Sequence, residues 1–215
     1  MDTLGGLDTR LLVDLLRDRK NPDKSLGQHF LIDDEVIDRS ILMSEELGSP
    51  LSQGSHVLEI GPGPGSLTLA ILRKGAKITA IEIDSESVAH LTRVFTEKGC
   101  ELEVIEGDAL SFDWPKGVTH VISNLPFQIS SPILDRITKL NQNHPIQMSV
   151  LLVQEEFAHR MAMSTPPYDV GPLGLNLWLD FDVILDRRVP PNSFSPSPRV
   201  HSRLVALKPQ SRPEV

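Results

Sequence analysis

One twelve-residue stretch limits what this chain can fold into: Val57-Leu58-Glu59-Ile60-Gly61-Pro62-Gly63-Pro64-Gly65-Ser66-Leu67-Thr68. A short apolar run ends in three glycines at alternate positions. A helix-like run through Leu67, Ala70 and Ile71 follows. The pattern predicts strand, glycine turn and helix, the opening of an α/β nucleotide site. Glycine tolerates positive φ and lets a ligand lie against bare backbone. The helix behind the turn offers free N–H groups at its N-terminus.

The remainder of the chain extends that opening. Strands are predicted at 57–60, 77–83, 102–105, 119–123 and 147–153, with helices at 65–73, 85–98, 131–140 and 154–163. This alternation predicts an α/β fold with a mostly parallel, doubly wound sheet. Upstream, Asp8 can cap a helix through about Arg19, with Leu11, Leu12, Leu15 and Leu16 on one side. Asp33 or Asp34 caps a second helix carrying Val36, Ile37, Ile41 and Leu42, closed by Gly48. The segment between, 25–33, has no period and reads as a loop. After Ser164 the composition shifts, and nine of the 17 prolines lie between Pro166 and Pro213. A short helix at 173–179 precedes strands at 182–189 and 200–207, which are close enough to form an antiparallel final hairpin. The domain reading is an N-terminal helical extension (1–24), one main domain (25–209) and a short tail (210–215).

Composition excludes some classes. The formal net charge is −8, so no global basic field advertises a nucleic-acid partner. Cys100 is alone, which rules out an internal disulfide and two-cysteine metal motifs and fits a reducing, cytoplasmic setting. No signal peptide is read, since Leu4 to Leu16 is broken by Asp8, Arg10 and Asp14. No apolar run is long enough to span a bilayer.

Ligands in open α/β sheets bind at the carboxyl ends of strands. There the first strand has Gly61, Gly63 and Gly65, although tight packing alone can demand them. The second ends in Glu82, placed about 20 residues past the glycines, where a carboxylate can accept from both ribose hydroxyls; the alternative is a solvated acidic strand end. After the third, in Glu106-Gly107-Asp108-Ala109-Leu110, a carboxylate can meet the exocyclic amine of an adenine or cap a helix. Together the three fit an adenosine-containing cofactor, either a nicotinamide nucleotide or S-adenosylmethionine. After the fourth strand stands Asn124-Leu125-Pro126-Phe127. An amide oxygen and a backbone carbonyl there can both accept from an –NH2 group while the Phe127 ring stacks on its base. The alternative is an Asn-Pro turn with a core phenylalanine.

Asn-Leu-Pro-Phe, the glycine turn, Ile81-Glu82-Ile83-Asp84, Glu106-Gly107-Asp108-Ala109 and Leu26-Gly27-Gln28-His29-Phe30-Leu31 together resemble the rRNA adenine N6,N6-dimethyltransferases. The resemblance is to the small-subunit KsgA-type enzymes first and the Erm enzymes more distantly. It runs from about Leu26 to Pro209 and includes Val189-Pro190-Pro191 with Phe194, Pro196, Pro198, Val200 and Ser202. It implies a Rossmann-like class I methyltransferase sheet and S-adenosylmethionine as cofactor. It implies cofactor contacts from His29, Leu31, Gly61, Gly63, Glu82, Asp108 and Asn124. Asn124, Leu125, Pro126 and Phe127 would form the catalytic motif, with Phe127 and Phe194 holding the two faces of the target adenine. His29 stands where many members have Asn, and Phe127 where many have Tyr. Members usually continue into a small helical domain, for which this chain has no residues past its short tail. No metal is implied.

The adenine N6 lone pair is delocalised into the ring, so that nitrogen is a poor nucleophile. Two acceptors aimed at its hydrogens favour a pyramidal nitrogen whose lone pair points at the methyl group. A sulfonium leaves readily, so no strong base is required. The base must be unstacked, which suits an RNA loop. The resemblance implies dimethylation of two adjacent adenosines near the 3′ end of small-subunit rRNA by a monomer in the cytoplasm. Phosphate contacts are expected from Arg187, Arg188, Arg199 and Arg203. A ribosome-assembly factor without turnover and a large-subunit rRNA methyltransferase are the rival readings.

Overall fold

The computed structural model describes residues 4–23, 26–164, 166 and 170–212. In chain order its elements are α1 (Thr9–Arg17), β1 (Phe30–Leu31), α2 (Asp34–Glu46), β2 (His56–Ile60), α3 (Ser66–Arg73), β3 (Lys77–Glu82), α4 (Ser85–Val94), β4 (Leu102–Glu106), β5 (His120–Asn124), α5 (Ser130–Asn143), β6 (Met148–Gln154), α6 (Glu155–Ala162), α7 (Pro172–Asp180), β7 (Phe181–Val189), β8 (Phe194–Ser195) and β9 (Ser202–Pro209). The expected caps are in place. The Asp8 carboxylate accepts from Leu11 N–H at 2.7 Å, and that of Asp33 from Glu35 N–H at 3.1 Å.

Seven strands form one sheet in the order β4-β3-β2-β5-β6-β9-β7. The first five are parallel, and β9 runs antiparallel to both β6 and β7. The expected final hairpin therefore forms, but its second strand inserts between the first and the parallel strands. Side chains alternate across the sheet. Val57 and Ile78 face a core shared with α1 to α4, whereas Leu58, Ile60 and Ile81 face one shared with α5 to α7. Connections run from β2 outward to β3 and β4, and from β5 outward to β6. The strand order thus reverses between β2 and β5, which opens a crevice at their carboxyl ends.

Two helix faces differ from the expected ones. Helix α1 buries Thr9, Leu12, Val13 and Leu16 against α3 and α4, while Leu11 and Leu15 are each 38% exposed. Val13 completes the stripe at helical spacing, and Leu11 and Leu15 lie about 100° off it. Leu42 on α2 is likewise exposed, beside buried Ile41. The helix expected to reach Lys98 stops at Val94, where Phe95 turns wholly into the core and a tight turn leads to Gly99.

A second, two-stranded sheet has no counterpart in the sequence reading. β1 and β8 pair antiparallel, Phe30 with Ser195 and Leu31 with Phe194. Next to it Ile32 N–H donates to Ser193 O at 2.9 Å, and the Ser193 hydroxyl to Asp33 at 2.6 Å. Among the described residues no helix is long and apolar enough to cross a membrane, and no group of three or more His, Cys, Asp or Glu could hold a metal ion.

Candidate functional site

The crevice encloses about 250 Å³ and is walled by the turns after β2, β3, β4 and β5, with the segment 26–31 as a lid. It brings together Gly61, Gly63, Glu82, Asp108, His29, Leu31 and all of Asn124 to Phe127. Leu31 reaches it from β1.

The glycine turn serves packing as well as access. At Gly65 (φ +88°) an added Cβ would lie 2.7 Å from the Phe95 ring and 2.9 Å from Leu91. At Gly63 (φ +55°) it would lie 3.1 Å from the Phe30 ring. Phe30 is in turn pressed down by Val13 and Leu16 of α1.

Glu82 is 5% exposed. One carboxylate oxygen accepts from Gly63 N–H at 3.1 Å and the other from Asp84 N–H at 3.0 Å. Burial pushes its pKa up, and these backbone bonds oppose the shift. Each oxygen keeps a second lone pair, which suits a vicinal diol. Asp84 beside it is tied to Lys20 at 2.5 Å and to Ser87 at 2.7 Å, with Gln28 at 3.4 Å. Burial would raise the Asp84 carboxyl, but its hydrogen bonds from Lys20 and Ser87 outweigh that and hold it below the usual carboxylate range. Lys20, ahead of the lid, and Gln28, within it, are thus both tied to Asp84 just after β3. Asp108 lies exposed at the rim and caps its own turn, accepting from Leu110 N–H at 2.8 Å and Ser111 Oγ at 3.3 Å.

At the end of β5, Asn124 Nδ2 donates to the backbone carbonyl of His29 at 3.0 Å. That bond fixes the amide so that Oδ1 is the atom left for a ligand. Leu125 N–H is bound to Leu152 O at 3.1 Å, which anchors the motif to β6. Its next residues form a tight turn, with Ile129 N–H donating to Pro126 O. The rings of His29 and Phe127 lie 5.9 Å apart, tilted 31°. His29 Nδ1 lies 2.7 Å from Pro196 O, so the lid is also tied to the turn after β8.

Phe194 does not join the cavity. Its ring is 2% exposed and packs in the core with Leu31, Val36 and Val189. Pairing on β1 turns it inward, so the expected clamp on the second face of a base is corrected to a core contact. Phe194→Leu is expected to lower stability by about 1 kcal/mol, read as a fall in thermal midpoint, with ligand affinity unchanged. A strong loss of activity at intact stability would return the ring to the site. Two of the four expected arginines are engaged by one carboxylate. Arg188 (2.7 Å) and Arg203 (3.0 Å) both grip Glu155, and Arg203 also donates to Asp186 O. Arg199 is exposed at the turn after β8.

The sequence reading missed Glu59 as a site residue. It lines the cavity two residues before Gly61 and is 1% exposed. Thr68 Oγ1 donates to its Oε2 at 2.6 Å. Burial pushes its carboxyl up to about 8 from the ordinary 4.5; the Thr68 bond opposes this and nearby Glu82 adds to it. Between those values the unfolded chain binds fewer protons than the folded one, so stability falls as pH rises through that window. Glu59→Gln is expected to remove the decline, gaining on the order of 4 kcal/mol at pH 8 and little at pH 4. Thermal midpoints of both proteins across that range check it.

A family model described as ribosomal RNA adenine dimethylase matches residues 19–215. A Haloarcula marismortui protein named probable ribosomal RNA small subunit methyltransferase A is 41% identical over 194 residues, 89% of this chain and 65% of that protein. Ribosomal RNA small subunit methyltransferase A of Halothermothrix orenii is 36% identical over 199 residues, 88% of this chain and 64% of that protein. The chain thus spans a little under two thirds of the length of these relatives. Among solved structures, a dimethyladenosine transferase from Plasmodium falciparum is similar at a TM-score of 0.72 and 33% identity, over 83% of this chain and 62% of that one. The 23S rRNA methyltransferase ErmE is similar at a TM-score of 0.71 and 26% identity, over 86% and 71%.

Proposed function

Because the chain belongs to the ribosomal RNA adenine dimethylase family, we propose that it transfers methyl groups from S-adenosylmethionine to adenine N6 in rRNA. The substrate on this reading is a pair of adjacent adenosines near the 3′ end of small-subunit rRNA. The observation that carries it is the amide of Asn124, tied through Nδ2 to His29 O in the lining of a cavity that Glu82 and the glycine turn complete.

The residues fit the cofactor. Glu82 has lone pairs for both ribose hydroxyls, and Gly63 leaves the backbone open beside it. Asp108 stands at the rim where an adenine amine would lie. When bound, the cofactor supplies a methyl group already activated on a sulfonium. The chain supplies positioning. Asn124 Oδ1 and a backbone carbonyl at Leu125 or Pro126 accept from the N6 hydrogens and draw the nitrogen lone pair out of the ring. Phe127 stacks on the base. Its hydrophobic wall and the 26–31 lid keep water from the reacting atoms.

The test is methyl transfer from labelled cofactor to small subunits, large subunits and naked rRNA, followed by mass analysis of the adenosines. Dimethyladenosine in small-subunit rRNA supports the reading. Cofactor binding without transfer to any of the three supports an assembly factor instead. The acidic net charge and the engagement of Arg188 and Arg203 with Glu155 favour that second reading.

A further inference from the structure

The turn after β4 is a single helical turn that no helix continues. Ser111 N–H and Phe112 N–H both donate to Asp108 O, at 3.0 and 2.9 Å, and the chain then runs on to β5. Such a turn leaves its last carbonyls without partners of its own. Side chains bind three of them. Trp114 Nε1–H donates to Ala109 O at 2.9 Å. From α5, Arg136 Nη1 donates to Leu110 O, and Nη2 to Phe112 O at 2.6 Å. The guanidinium carbon lies over the Trp114 ring, 4.9 Å from its centre. One planar group thus covers the indole while its two arms hold the backbone. The chemistry above has no use for Arg136, yet this side chain is spent on one wall of the cavity.

That wall is Gly107, Asp108, Ala109 and Leu110. Its near end is held by Gly107 N–H, bound to Glu82 O at 2.9 Å. Its far end is held by Arg136. Between them the Asp108 carboxylate is aimed by Leu110 N–H and Ser111 Oγ, both of which belong to the turn itself. Where the carboxylate stands therefore depends on where the turn stands. We propose that Arg136 is a positioning residue for cofactor selection: by holding the far end of the turn it keeps Asp108 level with the 6-amino group of a bound adenine, so that the site prefers adenine to a 6-oxo purine. The inference rests on the reading that S-adenosylmethionine occupies this cavity with its adenine beside Asp108. A carboxylate accepts from an amino group and repels the lone pairs of a carbonyl oxygen put in its place. That choice holds only while the carboxylate keeps its position, and for a side chain on a loop the supporting contacts decide this.

The experiment is titration calorimetry of the full chain with S-adenosylhomocysteine and with S-inosylhomocysteine, in which a carbonyl oxygen replaces the adenine amine. The parent chain is expected to bind the first at least about tenfold more tightly. Arg136→Met keeps an apolar stem against Trp114 and loses both donors. Its affinity for the first ligand should fall about tenfold and for the second by less than about twofold, so that the preference is largely lost. A residue that only stabilised the fold would weaken both ligands alike and leave their ratio unchanged. Arg136→Lys, with one ammonium for two carbonyls, should retain a preference of about threefold. Asp108→Ala should lose the preference too, and adding Arg136→Met to it should change the ratio no further, because the arginine acts through Asp108. An unchanged ratio in Arg136→Met overturns the inference, or in Arg136→Lys if that variant alone folds. A parent chain that binds S-adenosylmethionine but takes both test ligands equally overturns it as well. A parent chain that binds none of the three overturns the functional reading itself and the inference with it.

Discussion

Replacing Asn124 by alanine is expected to cut methyl transfer by about 10²–10³-fold, the scale set by removing one fixed polar group from a transition-state cradle. The amide is half-buried at the end of β5, and its Nδ2 is spent on His29 O at 3.0 Å. Its oxygen is therefore presented without a search through conformers, and alanine removes it outright. Leu125 N–H stays bound to Leu152 O, so the strand end keeps its place and the thermal midpoint should hardly move. Cofactor affinity should change by less than tenfold, or about 1.4 kcal/mol. Asn124→Asp sharpens the test. It keeps an acceptor but sets a carboxylate against the His29 carbonyl, so the group must turn away and activity should again fall by at least about tenfold. Single-turnover transfer, with cofactor affinity measured separately, checks both. Full activity in the aspartate variant would show that an acceptor alone suffices and that the His29 bond positions nothing.

Gly65→Ala is expected to cost the most stability, about 3–5 kcal/mol from overpacking and a strained backbone together. The position has φ +88°, and the new methyl would meet Phe95 at 2.7 Å and Leu91 at 2.9 Å. Both neighbours are 0% exposed, so neither can swing into solvent. Helix α4 would have to move away from α3. At Gly61 an added Cβ meets only the Pro126 side chain, at 3.4 Å. Gly61→Ala should thus pay mainly the backbone strain, about 1–2 kcal/mol. Urea unfolding of the two variants tests the ordering. Equal losses would mean that backbone strain, and not packing on α4, makes Gly65 necessary.

That contrast shows what the sequence could and could not tell. Three alternating glycines announced the turn because positive φ is a local property. Which glycine faces helix α4 and which faces Phe30 depends on elements far along the chain. The parallel strands were legible because each is a short apolar run between glycines and charges. The pairing of Phe30–Leu31 with Phe194–Ser195 was not, because two residues make no period. Phe194 was misplaced for that reason. Its loop looked free to reach a base, whereas pairing on β1 turns the ring inward. Arg188 and Arg203 looked like phosphate ligands because Glu155, at the start of α6, is distant in sequence. Asn124 was legible in kind, but the carbonyl that orients its amide belongs to a residue 95 positions earlier. Glu59 stood in plain view inside the glycine motif, and only its burial marks it as more than part of a strand.

The small sheet has a consequence for the order of assembly. Its two strands come from opposite ends of the main domain, so Phe30 and Leu31 have no partner until Phe194 and Ser195 have been made. The lid over the cavity depends on this late closure, since His29 is tied to Pro196 and Ile32 to Ser193. Contacts of such long sequence separation form late, because the loop they close must be ordered first. On a ribosome, the parallel strands and their helices can pack while the lid still hangs open. The chain would gain its shape before its site, and an incompletely synthesised copy would be folded in part yet unable to hold its ligand.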